Sequence, residues 1–329
     1  MNTKELDRFL REFDDIEKLQ YKTHENINDF DGYEMQMDTR EGISRMQDHY
    51  FFDQGHVFIS KHHRFAPMPR HVHAFIEINY MYSGTCTQYV DGQEIQLFEG
   101  QVCLMDSDVP HSIEELGMND ILVNVIMKKK TFLSAFLGKL SSHGLVTEFL
   151  VNAISENQKH DQYIIFHSEK NKELHDVFEK MMCEFFDPAD YSSDIIHAYL
   201  PVMFIELMRV YKYDINFDRN NEKAVIAEIL QYMEEHYQDC TLSSLAEEFN
   251  FNKNYLGNLL KERTGKTFIE FIQMQRMIQA ANLLANTDVS IEQAGIEAGY
   301  ESTSFFYRKF KKYFGMTPKA FRENKRTYL

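Results

Sequence analysis

Two copies of one pattern close to the C-terminus constrain this chain more than any other feature. The first runs through residues 241–249, 250–252 and 255–261, and the second through 290–298, 299–301 and 305–312. Leu242 and Ile291 are 49 residues apart, as are Phe251 and Tyr300; Tyr255 and Phe305 are 50 apart, as are Gly265 and Gly315. The second turn therefore carries one extra residue. Each copy reads as a short amphipathic helix, a tight turn and a second helix. Asn252 and Ser302 are the expected N-caps of the second helices, because their side chains accept the free backbone N–H groups of a first turn. Leu256, Leu259 and Leu260 form one apolar stripe, and Phe306 and Phe310 form its counterpart. A repeated helix-turn-helix makes the C-terminal third all-α, and two units joined by a helix suit the reading of two adjacent grooves of duplex DNA.

Duplex binding calls for positive charge, yet the chain of 329 residues carries 35 Lys+Arg against 51 Asp+Glu, a net charge of −16. The distribution removes the conflict. Residues 222–329 hold 14 basic and 14 acidic side chains, so the whole excess of acid precedes them. Residues 303–329 hold 8 basic and 1 acidic, net +7. A basic end on an acidic protein is an electrostatic footprint for phosphate. A solvated charged tail would share that composition, but not its placement on a helix-turn-helix. The length fits two or three domains. The 4 cysteines, Cys86, Cys103, Cys183 and Cys240, have no Cys-x-x-Cys spacing, which fits a reducing cytosol and a cytoplasmic protein. No signal peptide is expected, and no apolar run approaches the roughly 18 residues of a membrane span.

Residues 223–326 resemble the C-terminal DNA-binding domain of AraC-type (AraC/XylS) transcription regulators. The most specific stretch runs from Arg308 to Pro318 and is followed by Phe321-Arg322; Thr264 to Phe268, Arg276 to Ala280, Leu283 and Leu284 support it. The resemblance implies that the second helix of each unit enters the major groove. By family position Asn254, Asn258, Thr303, Ser304 and Arg308 would read bases, Asn pairing with adenine and Arg with guanine. Asn252, Lys253, Lys261, Lys311 and Lys312 would hold phosphate, which positions without specifying sequence. Gly257, Asn258 and Leu260 depart from the residues common in the family, and Gly295 stands where alanine is usual, at a cost of roughly 0.5–1 kcal/mol in a helix interior. Nothing in the sequence accounts for that glycine. The connecting helix, read as 267–285, spans roughly 28 Å at 1.5 Å per residue, against about 34 Å per turn of duplex. The resemblance further implies a bacterial promoter, activation rather than repression, RNA polymerase and a second copy of the chain as partners, and a small-molecule effector, with a sugar among the candidates.

Residues 49–127 read differently. Short alternating runs, interrupted by Gly, Asp and Pro, predict a small β-barrel or jelly roll, with Asp91-Gly92 as a hairpin turn. His71-x-His73-x₃-Glu77-x₆-Gly84 places residues 71, 73 and 77 on one face of a strand. His111 follows Gly100 by eleven residues. These resemble the two cupin motifs, with Phe65 and Asp108 in place of glycines and Asp106 in place of proline. His71, His73, Glu77 and His111 are thus the expected effector pocket. Two readings of their chemistry stay open: a divalent metal held by imidazoles and a carboxylate, or hydrogen bonds to an organic ligand. His62 and His63 read as loop histidines. No Ser-His-Asp set, phosphate-binding loop or dinucleotide fingerprint is visible, so no enzyme is expected. The rival reading is a metal-dependent cupin enzyme with an accessory helical domain.

Before the barrel, residues 3–20 place Leu6, Phe9, Phe13, Ile16 and Leu19 on one helical face. After it, residues 131–212 read as helical. One stripe holds Leu174, Val177, Phe178, Met181 and Met182; the other holds Ile195, Ile196, Tyr199, Leu200, Met203, Leu207 and Val210. Each is either core or a dimer seam. Residues 214–221 read as a linker. The expected class is α+β: a helical extension (1–48), a cupin-like sensor barrel (49–130), a helical coupling and dimerisation region (131–213), and an all-α double helix-turn-helix (222–329).

Overall fold

The computed structural model describes residues 1–27, 36–37, 42–52, 56–129, 131–132, 163–217, 222–264 and 267–326. They fall into two compact units, one within Met1–Phe132 and Lys159–Tyr211 and the other within Lys212–Leu329. Gly265 and the stretch 133–162 lie outside the described residues.

The first unit begins with two short helices, α1 (Thr3–Arg11) and α2 (Asp15–Thr23). The single apolar face expected over 3–20 does not persist, because Asp14 caps a new helix and resets the phase. Asn2 and Asp14 both form capping boxes, with Glu5 and Glu17. Leu6 and Leu10 are buried on α1, whereas α2 buries Glu17 and Gln20 and leaves Leu19 exposed. Glu17 is buried against a fixed cation: Arg64 donates to its two carboxylate oxygens at 2.7 and 3.0 Å, and Lys61 donates at 2.6 Å.

Eleven described strands follow, and the predicted β-class is correct. They are β1 (Gln36–Met37), β2 (Ser44–Met46), β3 (Val57–Lys61), β4 (Met68–His73), β5 (Ile76–Ser83), β6 (Thr85–Val90), β7 (Gln93–Phe98), β8 (Val102–Met105), β9 (His111–Ile113), β10 (Ile121–Met127) and β11 (Tyr163–Phe166). One sheet has the order β1-β2-β4-β9-β6-β7 and the other β11-β8-β5-β10-β3. Met81, Cys86, Leu97, Met105, Ile113 and Leu122, drawn from both sheets, share one buried cluster. The Asp91-Gly92 turn joins β6 to β7 with positive φ at both residues, 47° and 76°, as a two-residue hairpin turn requires. Strand β11 corrects the helical reading of 131–212: the four-residue apolar run Tyr-Ile-Ile-Phe pairs antiparallel with β8, and a run that short does not declare its period.

Helix α3 (Lys172–Phe186) belongs to this unit, and α4 (Ser192–Phe217) begins in it and continues past its limit at Tyr211. Helix α4 runs through residues 214–217, which had read as linker; no Gly or Pro there stops it. The α3 stripe is core, with Leu174, Phe178, Met181 and Met182 all 0 % exposed. On α4 the residues Ile196, Leu200, Met203, Phe204, Leu207 and Val210 are also buried, while Ile195 is exposed. Both stripes are therefore buried largely within the chain itself.

The second unit holds α5 (Glu222–Glu235), α6 (Leu242–Glu248), α7 (Lys253–Thr264), α8 (Phe268–Asn286), α9 (Ile291–Glu297), α10 (Thr303–Phe314) and α11 (Pro318–Arg326). The repeat extends to its hydrogen bonds. Phe251 N–H donates to Ala246 O at 2.8 Å, and Tyr300 N–H to Gly295 O at 2.9 Å. The turns place Asn250 (φ 55°) and Gly299 (φ 87°) in the left-handed region. Thr241 and Ser290 cap the first helices of the two copies. Helix α8 matches the predicted connector, capped by Thr267, and gives Phe271, Met274 and Ile278 to one core and Met277, Ala281 and Leu284 to the other. Its Arg276 donates to Gly299 O at 2.9 Å and to Gln238 O at 3.0 Å. The glycine at 295 now has a reason: a Cβ there would stand 2.9 Å from Cδ1 of the buried Phe306 ring.

Candidate effector pocket and nucleic-acid interface

The barrel encloses a cavity of about 380 Å³. His71, His73, Glu77 and His111 all line it, from β4, β5 and β9. Register explains the meeting: His71 pairs directly with His111 across the β4–β9 ladder. Each imidazole faces a backbone carbonyl through Nδ1, His71 to Pro69 at 2.9 Å, His73 to Phe75 at 2.8 Å and His111 to Val109 at 3.1 Å. A carbonyl only accepts, so Nδ1 carries the proton and Nε2 is left for the cavity.

Glu77 Oε2 lies 2.9 Å from His73 Nε2 and 3.4 Å from His111 Nε2. Its other oxygen accepts from Asn79 Nδ2 at 3.2 Å, and Asn79 is itself braced by Asn124 and Gln88. Burial pushes the Glu77 carboxyl up, but the two facing imidazoles outweigh it and hold the group well below its ordinary value. His71 moves down from its ordinary value, first by burial and then by the nearby His111. His73 Nε2, His111 Nε2 and Glu77 Oε2 are all buried without a geometrically sound hydrogen bond, although the ion-pair distances are short. Both observations hold together if these atoms converge on a position that a cation or a donor has to fill. Within the described residues, His73, Glu77 and His111 form a metal-compatible group, with ligand atoms all within 4.8 Å. His71 is not part of it; its ring stands 4.2 Å from that of His111 but 6.4 Å from that of His73.

Sequence reasoning missed other walls of this cavity. Gln20 of α2 lines it with a buried, unpartnered Oε1, and Asn124 enters from β10. His62 and His63, which had read as loop residues, also line it, and burial lowers His62 to about 4. The departures from the cupin pattern keep its backbone. Phe65 (φ 67°) and Asp108 (φ 65°) adopt the left-handed conformation at the two glycine positions, a strain of about 1–3 kcal/mol each. Phe65 is held by edge contacts with Phe13 and Tyr21 at 5.0 Å, and Asp108 by an ion pair with Arg45.

In the second unit, α7 and α10 bury Leu256, Leu259 and Leu260, and Phe306, Phe310 and Phe314, and turn their other faces outward. Asn254, Asn258, Lys253 and Lys261 are exposed on α7; Ser304, Arg308, Lys311 and Lys312 are exposed on α10, and Thr303 is half-buried at its first turn. Asn252 is exposed, and its Oδ1 caps α7 by accepting from Asn254 N–H at 2.9 Å. Tyr255, which sequence reasoning passed over, is 51 % exposed between the two asparagines.

Residues 54–120 match the family model for an AraC-like ligand binding domain, and residues 245–324 match that for a helix-turn-helix domain. The chain is 23% identical over 261 residues to the melibiose operon regulatory protein of Escherichia coli (strain K12), covering 77% of this chain and 83% of that protein. It is 23% identical over 284 residues to the HTH-type transcriptional activator RhaS of Escherichia coli O81, covering 85% and 97%. An apo form of ToxT from Vibrio cholerae aligns over 82% of this chain and 98% of that structure, at 18% identity and a TM-score of 0.36. None of the helices among the described residues is long and apolar enough to cross a membrane. With a match to an AraC-like ligand-binding domain followed by a match to a helix-turn-helix domain, the chain is similar to transcription regulators of the AraC type.

Proposed function

We propose that this regulator takes a polyhydroxylated small molecule, a sugar or close derivative, in the barrel cavity and thereby controls promoter binding by α7 and α10. The observation that carries the reading is the acceptor-rich wall: His73 Nε2, His111 Nε2, Glu77 Oε2 and Gln20 Oε1 are buried without donors beside Phe51, Phe58 and Phe75. Hydroxyl groups supply donors, and the C–H face of a sugar packs on aromatic rings. The name of the melibiose regulator points the same way. A second reading of the same atoms is a divalent metal. His73, Glu77 and His111 have the donor set for it, with Nε2 free on both imidazoles and Nδ1 locked by carbonyls, and His71 would stay outside the ligand set. Such an ion would anchor ligand oxygens. The cavity binds its ligand rather than transforming it, in keeping with relatives that are regulators, and we place the protein in the cytosol.

On the DNA side, Asn254, Asn258, Thr303, Ser304 and Arg308 are the base readers, and Asn252, Lys253, Lys261, Lys311 and Lys312 hold phosphate. Their exposure on two repeat-related helices supports this. A homodimer forms through α4, whose outward residues Ile195, Ala198, Val202 and Ile205 are exposed at spacings of three and four, the seam of a paired helix. Activation then runs through contact with RNA polymerase. A thermal-shift screen of mono- and disaccharides against the full-length chain, followed by DNA-binding titrations with each hit, tests the effector. A hit that His73→Ala abolishes supports the pocket; a responsive effector unaffected by His73→Ala overturns it. Elemental analysis of protein purified without chelator decides the metal, since metal-free protein with full effector response removes that reading.

A further inference from the structure

Arg308 is set apart from the other exposed cations of α10 by what lies beneath it. Its Cζ stands 5.3 Å from the centroid of the Phe305 ring, one turn back on the same helix. Among the described residues the guanidinium has no hydrogen bond and no ion pair, so its N–H fork is free. The ring is itself held. Phe305 N–H donates to the capping Ser302 Oγ at 3.3 Å, and the Tyr300 ring packs 6.1 Å away. Lys309 Nζ also lies 5.3 Å from the same ring.

The other copy of the repeat supplies a contrast. Tyr255 is the counterpart of Phe305, and Asn258 is the counterpart of Arg308. No cation stacks on Tyr255 among the described residues, and its ring is 51 % exposed. The ring at this repeat position is thus covered by cations only in the copy that carries the arginine. A guanidinium resting on an aromatic face keeps its in-plane donors available, because the attraction uses the face of the ring and not the N–H groups. It also loses less side-chain freedom when it docks on a base edge, so less entropy is lost on binding.

We propose that Phe305 is a positioning residue for DNA reading: it pre-orders Arg308 for bidentate contact with a guanine edge, and so contributes to specificity without touching DNA itself. This rests on Arg308 as a base reader. Full-length protein would first be used to select its preferred duplexes from a randomised library. Affinities would then be measured for the selected duplex and for each single-base variant over a range of salt. Arg308→Ala identifies the guanine position as the one where discrimination collapses. Phe305→Leu is expected to lower discrimination at that same position by about two- to five-fold, leaving the other positions and the salt slope unchanged, since no phosphate contact is lost. Phe305→Tyr keeps the ring and is expected to restore it. If Arg308→Ala leaves every position unchanged, the base-reading assignment fails and this inference with it. If Arg308→Ala removes one preference while Phe305→Leu leaves it intact, or weakens all positions alike, the base reader stands and the platform is refuted.

Discussion

Gly295 and Phe306 offer a test of how the two copies of the repeat were packed. Their counterparts in the first copy are Ala246 and Leu256, both buried. One copy thus pairs a small methyl with a leucine, and the other pairs no side chain with a phenyl ring. Gly295→Ala adds a Cβ 2.9, 3.1 and 3.4 Å from three carbons of Phe306. That ring is 0 % exposed and is wedged among Tyr300 and Phe310, at 5.6 Å each, so it has nowhere to retreat. Overpacking of this kind costs about 1–3 kcal/mol, while alanine returns about 0.8–1.0 kcal/mol of helix propensity. The net expectation is a loss of roughly 1 kcal/mol. Phe306→Leu alone leaves a void beside a glycine and costs roughly 1–2 kcal/mol. The double substitution recreates the Ala–Leu pair of the first copy, and is expected to be more stable than the sum of the singles by about 1 kcal/mol or more. The chain has 0 tryptophans and two units, so global fluorescence would report poorly. Hydrogen exchange of the α9 and α10 amides in the full-length chain isolates the local opening free energy. A stabilised Gly295→Ala, or strictly additive effects, would refute the account of Gly295.

Three further outcomes are expected. Burial pushes the Glu17 carboxyl up, but its bonds to Arg64 and Lys61 outweigh that and lower it from its ordinary value; stabilisation by Glu17 is therefore present above about pH 4.5 and fades as pH falls through the lowered value. Glu17→Gln, which strands the buried Arg64, should cost about 3–5 kcal/mol at neutral pH and flatten the acid limb of a thermal-denaturation series; an unaltered limb counts against the ion cluster. Arg308→Ala should cost about 1–3 kcal/mol of discrimination at one base pair, whereas Lys312→Ala should weaken all duplexes alike and reduce the salt slope by about 1; equal losses from both on every sequence would undo the assignment. Val202→Asp, placed on the outward face of α4, should convert a dimer to a monomer in sedimentation without a loss of helix content, and a wild-type chain that sediments as a monomer at tens of micromolar would remove the seam.

Local order was legible in the residues themselves. The limits of α8, the caps at Asn252 and Ser302, the Asp91-Gly92 hairpin and the two helix-turn-helix copies depend on side chains a few positions from the backbone groups they serve. A pattern of neighbours is enough to specify them. His71 and His73 were visible for the same reason, since strand alternation puts them on one face of β4; Glu77 was read onto that same strand, but the chain turns after His73 and Glu77 stands on β5 of the other sheet, while the spacing from Gly100 added His111. What covers a face is a different matter. Periodicity marked the α3 and α4 stripes as apolar but left open whether the protein itself or a second copy buries them; packing made them core and left Ile195, Val202 and Ile205 outward. Tertiary packing left His71 outside the three-ligand group and brought Gln20, His62 and Asn124, which lie as far apart as 104 positions in the chain, to the cavity. Gly295 is a mistake by helix propensity alone and becomes necessary only beside the ring of Phe306. Each of these outcomes depends on which atoms meet across the fold, and the free energy of such meetings is set by excluded volume and burial, quantities that no single stretch of sequence contains.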